Sequence, residues 1–112
     1  MTLSCSGDAM FLALVSMLQV TRPSLLNPAD GGFDVDVTPL LNQQASLTDD
    51  ERLVLRIYGV LANMGENTSV SLDLSDSESA RLDRALGLVQ SARSWPADAL
   101  ALTSSLRLQL QK

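Results

Sequence analysis

Histidine is absent from this chain of 112 residues. That absence excludes Ser-His-Asp and Cys-His nucleophilic catalysis, H-E-x-x-H metal sites and any zinc finger with an imidazole ligand. Cysteine occurs once, at Cys5, so the chain forms neither an internal disulfide nor a thiolate metal cage. Cys5 stands near a terminus with no base or cation beside it in sequence, the setting of an incidental thiol and not a reactive one. Aromatic residues make up 4% of the chain, and thirteen acids oppose eight bases for a net charge of -5. A chain with so few stacking platforms and so little phosphate-neutralising charge is not expected to bind nucleic acid directly. None of the six glycines builds a G-x-G or G-K-S/T phosphate loop. Lysine occurs once, at Lys112, against seven arginines, a usage that points to a GC-rich bacterial genome.

Long apolar runs are also scarce. The longest candidate, from Ala9 to Leu18, spans ten residues, well short of the roughly twenty that a membrane span requires. Asp8 and no side-chain cation precede it, and Thr21-Arg22-Pro23 offers no small-residue cleavage site, so it does not read as a secretory leader. A cytoplasmic protein with no membrane association is the expectation. Neither repeats nor a linker rich in Gly, Ser and Pro divide the chain, and its length suits one domain over residues 1–112.

Hydrophobic periodicity predicts a mainly α fold, about four helices in a small bundle, with short strands near 33–37 and 70–74. The first helix, over about 8–22, starts at Ser6 or Asp8 and stops at Pro23. Residues 23–46 read as irregular apart from the alternation Phe33-Asp34-Val35-Asp36-Val37, which Pro39 ends. Thr48-Asp49-Asp50-Glu51 is a capping box and opens a second helix, with Leu53, Ile57, Val60, Leu61 and Met64 on one face and Gly65 just past its end. Ser75-Asp76-Ser77-Glu78 is another box. It opens a helix to about Ser94 with Leu82, Leu86 and Val89 inward, Ala85, Leu88 and Ala92 beside them, and a Glu78–Arg81 pair at i,i+3. Gly87 inside that helix suggests a close helix–helix approach. Residues 97–111 fit two patterns: a helical stripe of Ala99, Leu102, Leu106 and Leu110, or the strand-like alternation from Leu106 to Leu110. Pro96 at the start and the length favour helix.

Two sets of residues stand out as candidate contact surfaces. The first helix is apolar around most of its circumference, more than an ordinary surface helix carries. Surplus apolar helix on a small protein marks an interface, so Met10, Phe11, Leu14, Val15 and Leu18 are expected at a homodimer or partner contact; a central bundle helix is the alternative. The charge is localised. Residues 30–51 hold Asp30, Asp34, Asp36, Asp49, Asp50 and Glu51 with no base, for -6, while 1–29 is neutral and 52–112 carries +1. Such a segment would steer the protein toward a basic partner, for instance a DNA-binding protein, unless it is simply solvated loop and helix N-terminus. Two apparent calcium loops fail at their twelfth positions, where Asp34-x-Asp36 leads to Ala45 and Asp73-x-Ser75-x-Ser77 leads to Arg84. No metal, cofactor or catalytic residue is therefore expected.

The stretch Leu47-Thr48-x-x-Glu51-Arg52-x-Val54-Leu55-Arg56 resembles the opening helix of LuxR-type helix-turn-helix domains. The next helix starts Asp76-Ser77-Glu78, however, where a DNA-reading helix would be basic, so the spelling is explained by capping alone. In size, acidity, helicity and lack of a catalytic set, the chain resembles small bacterial quorum-sensing antiactivators of the QslA kind. That resemblance implies a non-enzymatic protein that binds a LuxR/LasR-type transcriptional activator and inhibits it by occupying its hydrophobic or dimerisation surface. Two other classes compete. One is an acidic type III secretion chaperone, with a sheet-rich dimer surface; the other is an enzyme of unfamiliar type working through Arg and Asp alone.

Overall fold

The structure is a computed structural model that describes residues 1–29, 32–92 and 97–111. Among the described residues it is mainly α: three long helices, a single helical turn and two small antiparallel ribbons are arranged about a fourth long helix near the chain's start. That helix, α1 (Gly7–Thr21), begins where the Ser6 hydroxyl accepts the Ala9 amide at 3.1 Å. It ends before Pro23, which disfavours helical geometry at the preceding residue, and Arg22 is accordingly non-helical, at φ -140° and ψ 70°. Ala9, Met10, Ala13, Leu14, Val15, Ser16, Met17 and Leu18 are all buried. The one polar member, Ser16, donates to the Leu12 carbonyl at 2.8 Å, so no hydroxyl is stranded inside.

A strand that sequence periodicity missed, β1 (Thr2–Ser6), precedes α1. It pairs antiparallel with β4 (Ser69–Asp73) in the register Leu3↔Leu72 and Cys5↔Val70. Leu3, Val70 and Leu72 turn inward, while Thr2, Ser4, Ser6, Ser69, Ser71 and Asp73 stay exposed, the period-two pattern of a half-buried ribbon. Both edges of the ribbon are occupied by side chains from helices. The Gln109 amide accepts from the Ser4 N–H at 3.3 Å and donates to its carbonyl at 2.9 Å. Arg56 donates to the Asp73 carbonyl. Each bond fills a backbone position that another strand would otherwise occupy.

Residues 23–46 hold more order than the sequence suggests. After a 3-10 turn (Pro23–Leu25), β2 (Leu26–Ala29) pairs with β3 (Gly32–Val35) in a hairpin. The strand expected over 33–37 stops at Val35. The Asp36 carboxylate accepts the Thr38 amide at 3.0 Å, and Pro39 sits in the first turn of α2 (Thr38–Leu41), with Val37 buried as its N-cap residue.

The two capping boxes form as expected. In α3 (Asp49–Ala62) the Glu51 amide donates to Thr48 Oγ1 at 3.2 Å, and the Thr48 amide donates to the Glu51 carboxylate at 3.0 Å. In α4 (Asp76–Ala92) the corresponding Ser75–Glu78 distances are 3.1 and 2.9 Å. Leu53, Val54 and Ile57 of α3 and Leu82, Ala85, Leu86 and Val89 of α4 are buried. Asn63 closes α3, and Gly65 lies one residue farther out than expected, at φ +60°, in the left-handed conformation that glycine adopts without strain. Leu88, expected beside the core, is 49% exposed, because it lies about 200° around the helix from Leu86.

The last segment is helical, as α5 (Ala97–Leu110). Leu106 and Leu110, four apart, are buried, whereas Leu108 between them is, among the described residues, the most exposed large apolar one at 64%; a strand would have put all three on one side. Gly87 makes room for a side chain of α5. A Cβ there would lie 3.2 Å from the Arg107 guanidinium carbon, which crosses α4 between Asp83 and Gln90 at 2.9 and 3.3 Å. Trp95 and Pro96 fall outside the described residues, and among those described no helix is long and apolar enough to cross a membrane.

Leu14→Ala is expected to cost about 2–5 kcal/mol of unfolding free energy, as for a fully buried leucine, and Thr48→Ala about 1 kcal/mol through the lost cap. Urea unfolding followed by circular dichroism measures both. A Leu14→Ala protein as stable as the parent would contradict a central α1.

Candidate functional site

The five α1 residues expected at a homodimer or partner surface do not form one. Met10 and Leu18 are 0% exposed and Leu14 and Val15 1%; Phe11 is half-buried and packs against the same core. The physical reason is coverage: α3, α4, α5 and β1 all contact α1, so its apolar breadth is consumed inside the chain.

Of the described acids in the acidic segment only Glu51 is buried; Asp36 and Asp49 are exposed and Asp50 is intermediate. Glu51, only 8% exposed, accepts Arg22 Nη1 at 2.9 Å as well as the Thr48 amide. These bonds, that of Thr48 foremost, hold its carboxyl below the usual glutamate value against the opposing effect of burial. Asp50 accepts Arg81 at 2.8 Å, and Asp49 stands 3.5 Å from Arg81 and 3.4 Å from Arg52. Asp36 caps Thr38, which lowers its carboxyl in turn. Asp30 lies outside the described residues, as does the side chain of Asp34. Of the residues expected on an acidic partner-facing surface, Asp49, Asp50 and Glu51 thus pair with arginines of the chain itself, Arg22 and Arg81 from far in sequence and Arg52 from the next turn. The expected Glu78–Arg81 pair is replaced in the same way. Glu78 takes Arg56, whose hydrogen bond is the main cause of its lowered carboxyl, and Arg81 turns to Asp50.

Cys5 is not at a loose end but in β1, half-buried opposite Val70, where burial pushes its thiol up to about 11. At neutral pH it is a thiol and a poor nucleophile.

Among the described residues, a cleft of about 230 Å³ opens where the end of α1, the start of α3 and the middle of α4 meet. Met17 and Ala85, each 1% exposed, make its floor. Val20 on α1 and Leu88 on α4, 45% and 49% exposed, form its apolar walls. The Asp50–Arg81 ion pair and Arg84 complete it, and Arg84 has no ion-pair partner among the described residues. Asp50 holds the Arg81 guanidinium still more firmly protonated, the reverse of what proton transfer near neutral pH requires. Among the described residues no three His, Cys, Asp or Glu side chains converge as metal ligands. The arrangement can seat an apolar side chain and pair an anionic one with Arg84.

Sequence reasoning missed all three of these surface residues. Leu88 carried a signal, its phase opposite to Leu86; Val20 carried one only in its polar neighbours Gln19, Thr21 and Arg22. Comparison with protein-family profiles, characterised proteins and solved structures returns no match to this chain.

The lowered carboxyls of Glu51 and Glu78 set a pH dependence. A carboxylate whose folded pKa lies below its unfolded value, 4.5 here, contributes stability fully above that value and loses it as pH falls through the folded one. Melting temperature should hold near neutral pH and decline below about pH 4.5. Glu51→Gln plus Glu78→Gln should lower it near neutrality and flatten the acid limb. An acid limb identical in parent and double variant would show that these bonds do not carry the effect.

Proposed function

We propose that this is a non-enzymatic regulatory protein that binds another protein and inhibits it by occupying an apolar surface. The observation that carries the reading is the α1–α4 cleft, where Val20 and Leu88 present half-exposed apolar side chains over a buried floor. Apolar anchors seated in a pre-formed groove supply most of the affinity in protein recognition, and a flanking charge such as Arg84 supplies selectivity. The absence of histidine removes the commonest catalytic base. The overall likeness to antiactivators of the QslA kind names the target class: a LuxR/LasR-type transcriptional activator, bound in the cytoplasm at a surface it needs for dimerisation. The contact lies on the outer sides of α1 and α4, and not on the inward stripe of α1. The mainly helical fold lacks the sheet-rich surface of the secretion-chaperone alternative.

One observation favours an enzyme. The cleft brings Asp50, Arg81 and Arg84 together, as catalysis by Arg and Asp would require. The Asp50–Arg81 pair at 2.8 Å nevertheless satisfies both groups within the chain, and binding remains the better use of the site.

The test is a reporter driven by a LuxR-type activator from the same genome, together with direct binding to that purified activator. The parent protein should repress and bind. Val20→Asp and Leu88→Asp should each weaken binding about tenfold or more, the loss typical of an interface anchor, with unchanged melting temperature. Leu100→Asp, on exposed surface of α5, should not. A parent that neither binds nor represses would overturn the target class. Cleft variants that bind like the parent would overturn the site.

A further inference from the structure

Along α4 the α1–α4 cleft presents Arg81, Arg84, Ala85 and Leu88, spaced i, i+3, i+4 and i+7 and so placed on one helix face. Its charges are unevenly satisfied. Arg81 is held by Asp50 at 2.8 Å and stands 3.5 Å from Asp49, which Arg52 also approaches at 3.4 Å. Arg84, which is exposed, is the one of these groups left without a counter-charge among the described residues, on a chain of net charge -5. It lies one helical turn, about 6 Å along the axis, from Leu88. A second cavity, of about 350 Å³ between α4 and the end of α5, has the opposite character: its lining carries the carboxylates Asp76 and Asp83 where the cleft carries guanidiniums.

Shape and backbone chemistry limit what sits in the cleft. Every residue that lines it belongs to a helix, so it offers no strand edge for an extended segment to join. An extended segment would cover its own amides without partnering them, whereas a helix arrives with its hydrogen bonds made and needs only side-chain contacts. A volume of about 230 Å³ also falls below the roughly 300–1,000 Å³ of pockets that enclose small ligands, and suits one apolar side chain over the floor of Met17 and Ala85. Resting on the reading of this cleft as a protein-binding site, we propose that its occupant is an amphipathic helix of the partner with an aliphatic residue and, one turn away, an aspartate or glutamate. The aliphatic side chain sits between Val20 and Leu88, and the carboxylate pairs with Arg84. A basic DNA-reading helix would set like charges together at Arg84, so the segment engaged is an acidic one elsewhere in the partner.

The experiment is a backbone-amide NMR titration of the full chain, at fixed ionic strength, with four designed peptides of equal length. Three are alanine-based helices with a leucine stripe and, one turn from it, a glutamate, a glutamine or a lysine. The fourth is the glutamate peptide with a central proline that breaks its helix. Saturable shifts confined to 17–22 and 81–88 are expected, and none at 110–111 beside the α4–α5 cavity. The glutamate helix should bind about tenfold tighter than the lysine helix, with glutamine between them, and about tenfold tighter than its proline counterpart. Arg84→Glu should reverse the order, lysine above glutamate, at an unchanged melting temperature. Three helices bound alike by parent and variant would overturn the proposal while leaving the cleft a binding site, and so would a proline peptide as tight as its helical parent. No saturable shift with any peptide would overturn it too. Self-association of the parent that Leu88→Asp abolishes in sedimentation would assign the cleft to a second copy of the chain, against the proposal. A LuxR-type activator that fails to bind while the glutamate helix binds through Arg84 removes the target class alone and supports the helix.

Discussion

The need to enclose α1 organises this protein. A helix with apolar residues around most of its girth has no stable solvent-facing side, so other elements must cover it from several directions. With α3, α4 and α5 about it and the β1–β4 ribbon across its start, the chain does so alone. Even the serine within it is neutralised by its own helix, through the Leu12 carbonyl. One consequence reaches function directly. Apolar surface left for a partner cannot come from the middle of α1. Among the described residues it comes from where α1 emerges, at Val20, from the outward sides of the covering helices, at Tyr58, Leu88, Leu100 and Leu108, and from Met1 and Leu41.

Electrostatics are likewise settled within the chain. The net charge of -5 resides in residues 30–51, yet Asp49, Asp50 and Glu51 serve first as cap and dipole partners of α3 and then as acceptors for Arg22 just past α1, Arg52 of α3 and Arg81 of α4. Each pair is half-exposed or nearly so, except at Glu51, and is worth little by itself. Together they fix how the start of α3 sits against α1 and α4. They also change the sign of the surface at the cleft, where the group without an ion-pair partner among the described residues is Arg84 and not an aspartate.

Local chemistry was legible in the sequence, and long-range chemistry was not. Both capping boxes, the end of α1 at Pro23 and the phase of α4 depend on residues within one or two turns of each other. The breadth of α1 was legible as well. Its meaning was not, because whether such a helix is central or shared depends on how much area the other elements cover. The ribbon was half visible: Val70, Leu72 and Leu74 alternate, whereas Thr2–Ser6 offers only Leu3 and Cys5, and its partner is some seventy residues away. The ion pairs were hidden for the same reason. An i,i+3 rule pairs Glu78 with Arg81, but the fold brings Arg56 to one and Asp50 to the other. The cleft went unseen because it is assembled from three helices, and its one strong sequence sign, Leu88 out of phase with Leu86, looks like an ordinary exposed leucine until Val20 is placed across from it.

That the cleft and the α4–α5 cavity share α4 bears on how each is held. This helix is capped by Ser75 and Glu78, tied to α3 through Arg56 and to α5 through Arg107, and buried along Leu82, Leu86 and Val89. A side chain on so constrained a support loses little further freedom on binding, and that pre-organisation adds affinity that contact area alone does not. Arg81 and Asp83, two residues apart, point to different neighbours: one braces the cleft through Asp50, the other anchors Arg107 beside the cavity. Both surfaces are thus braced by ion pairs that tie α4 to its neighbours, and the contacts that stabilise the bundle also hold the residues that line them.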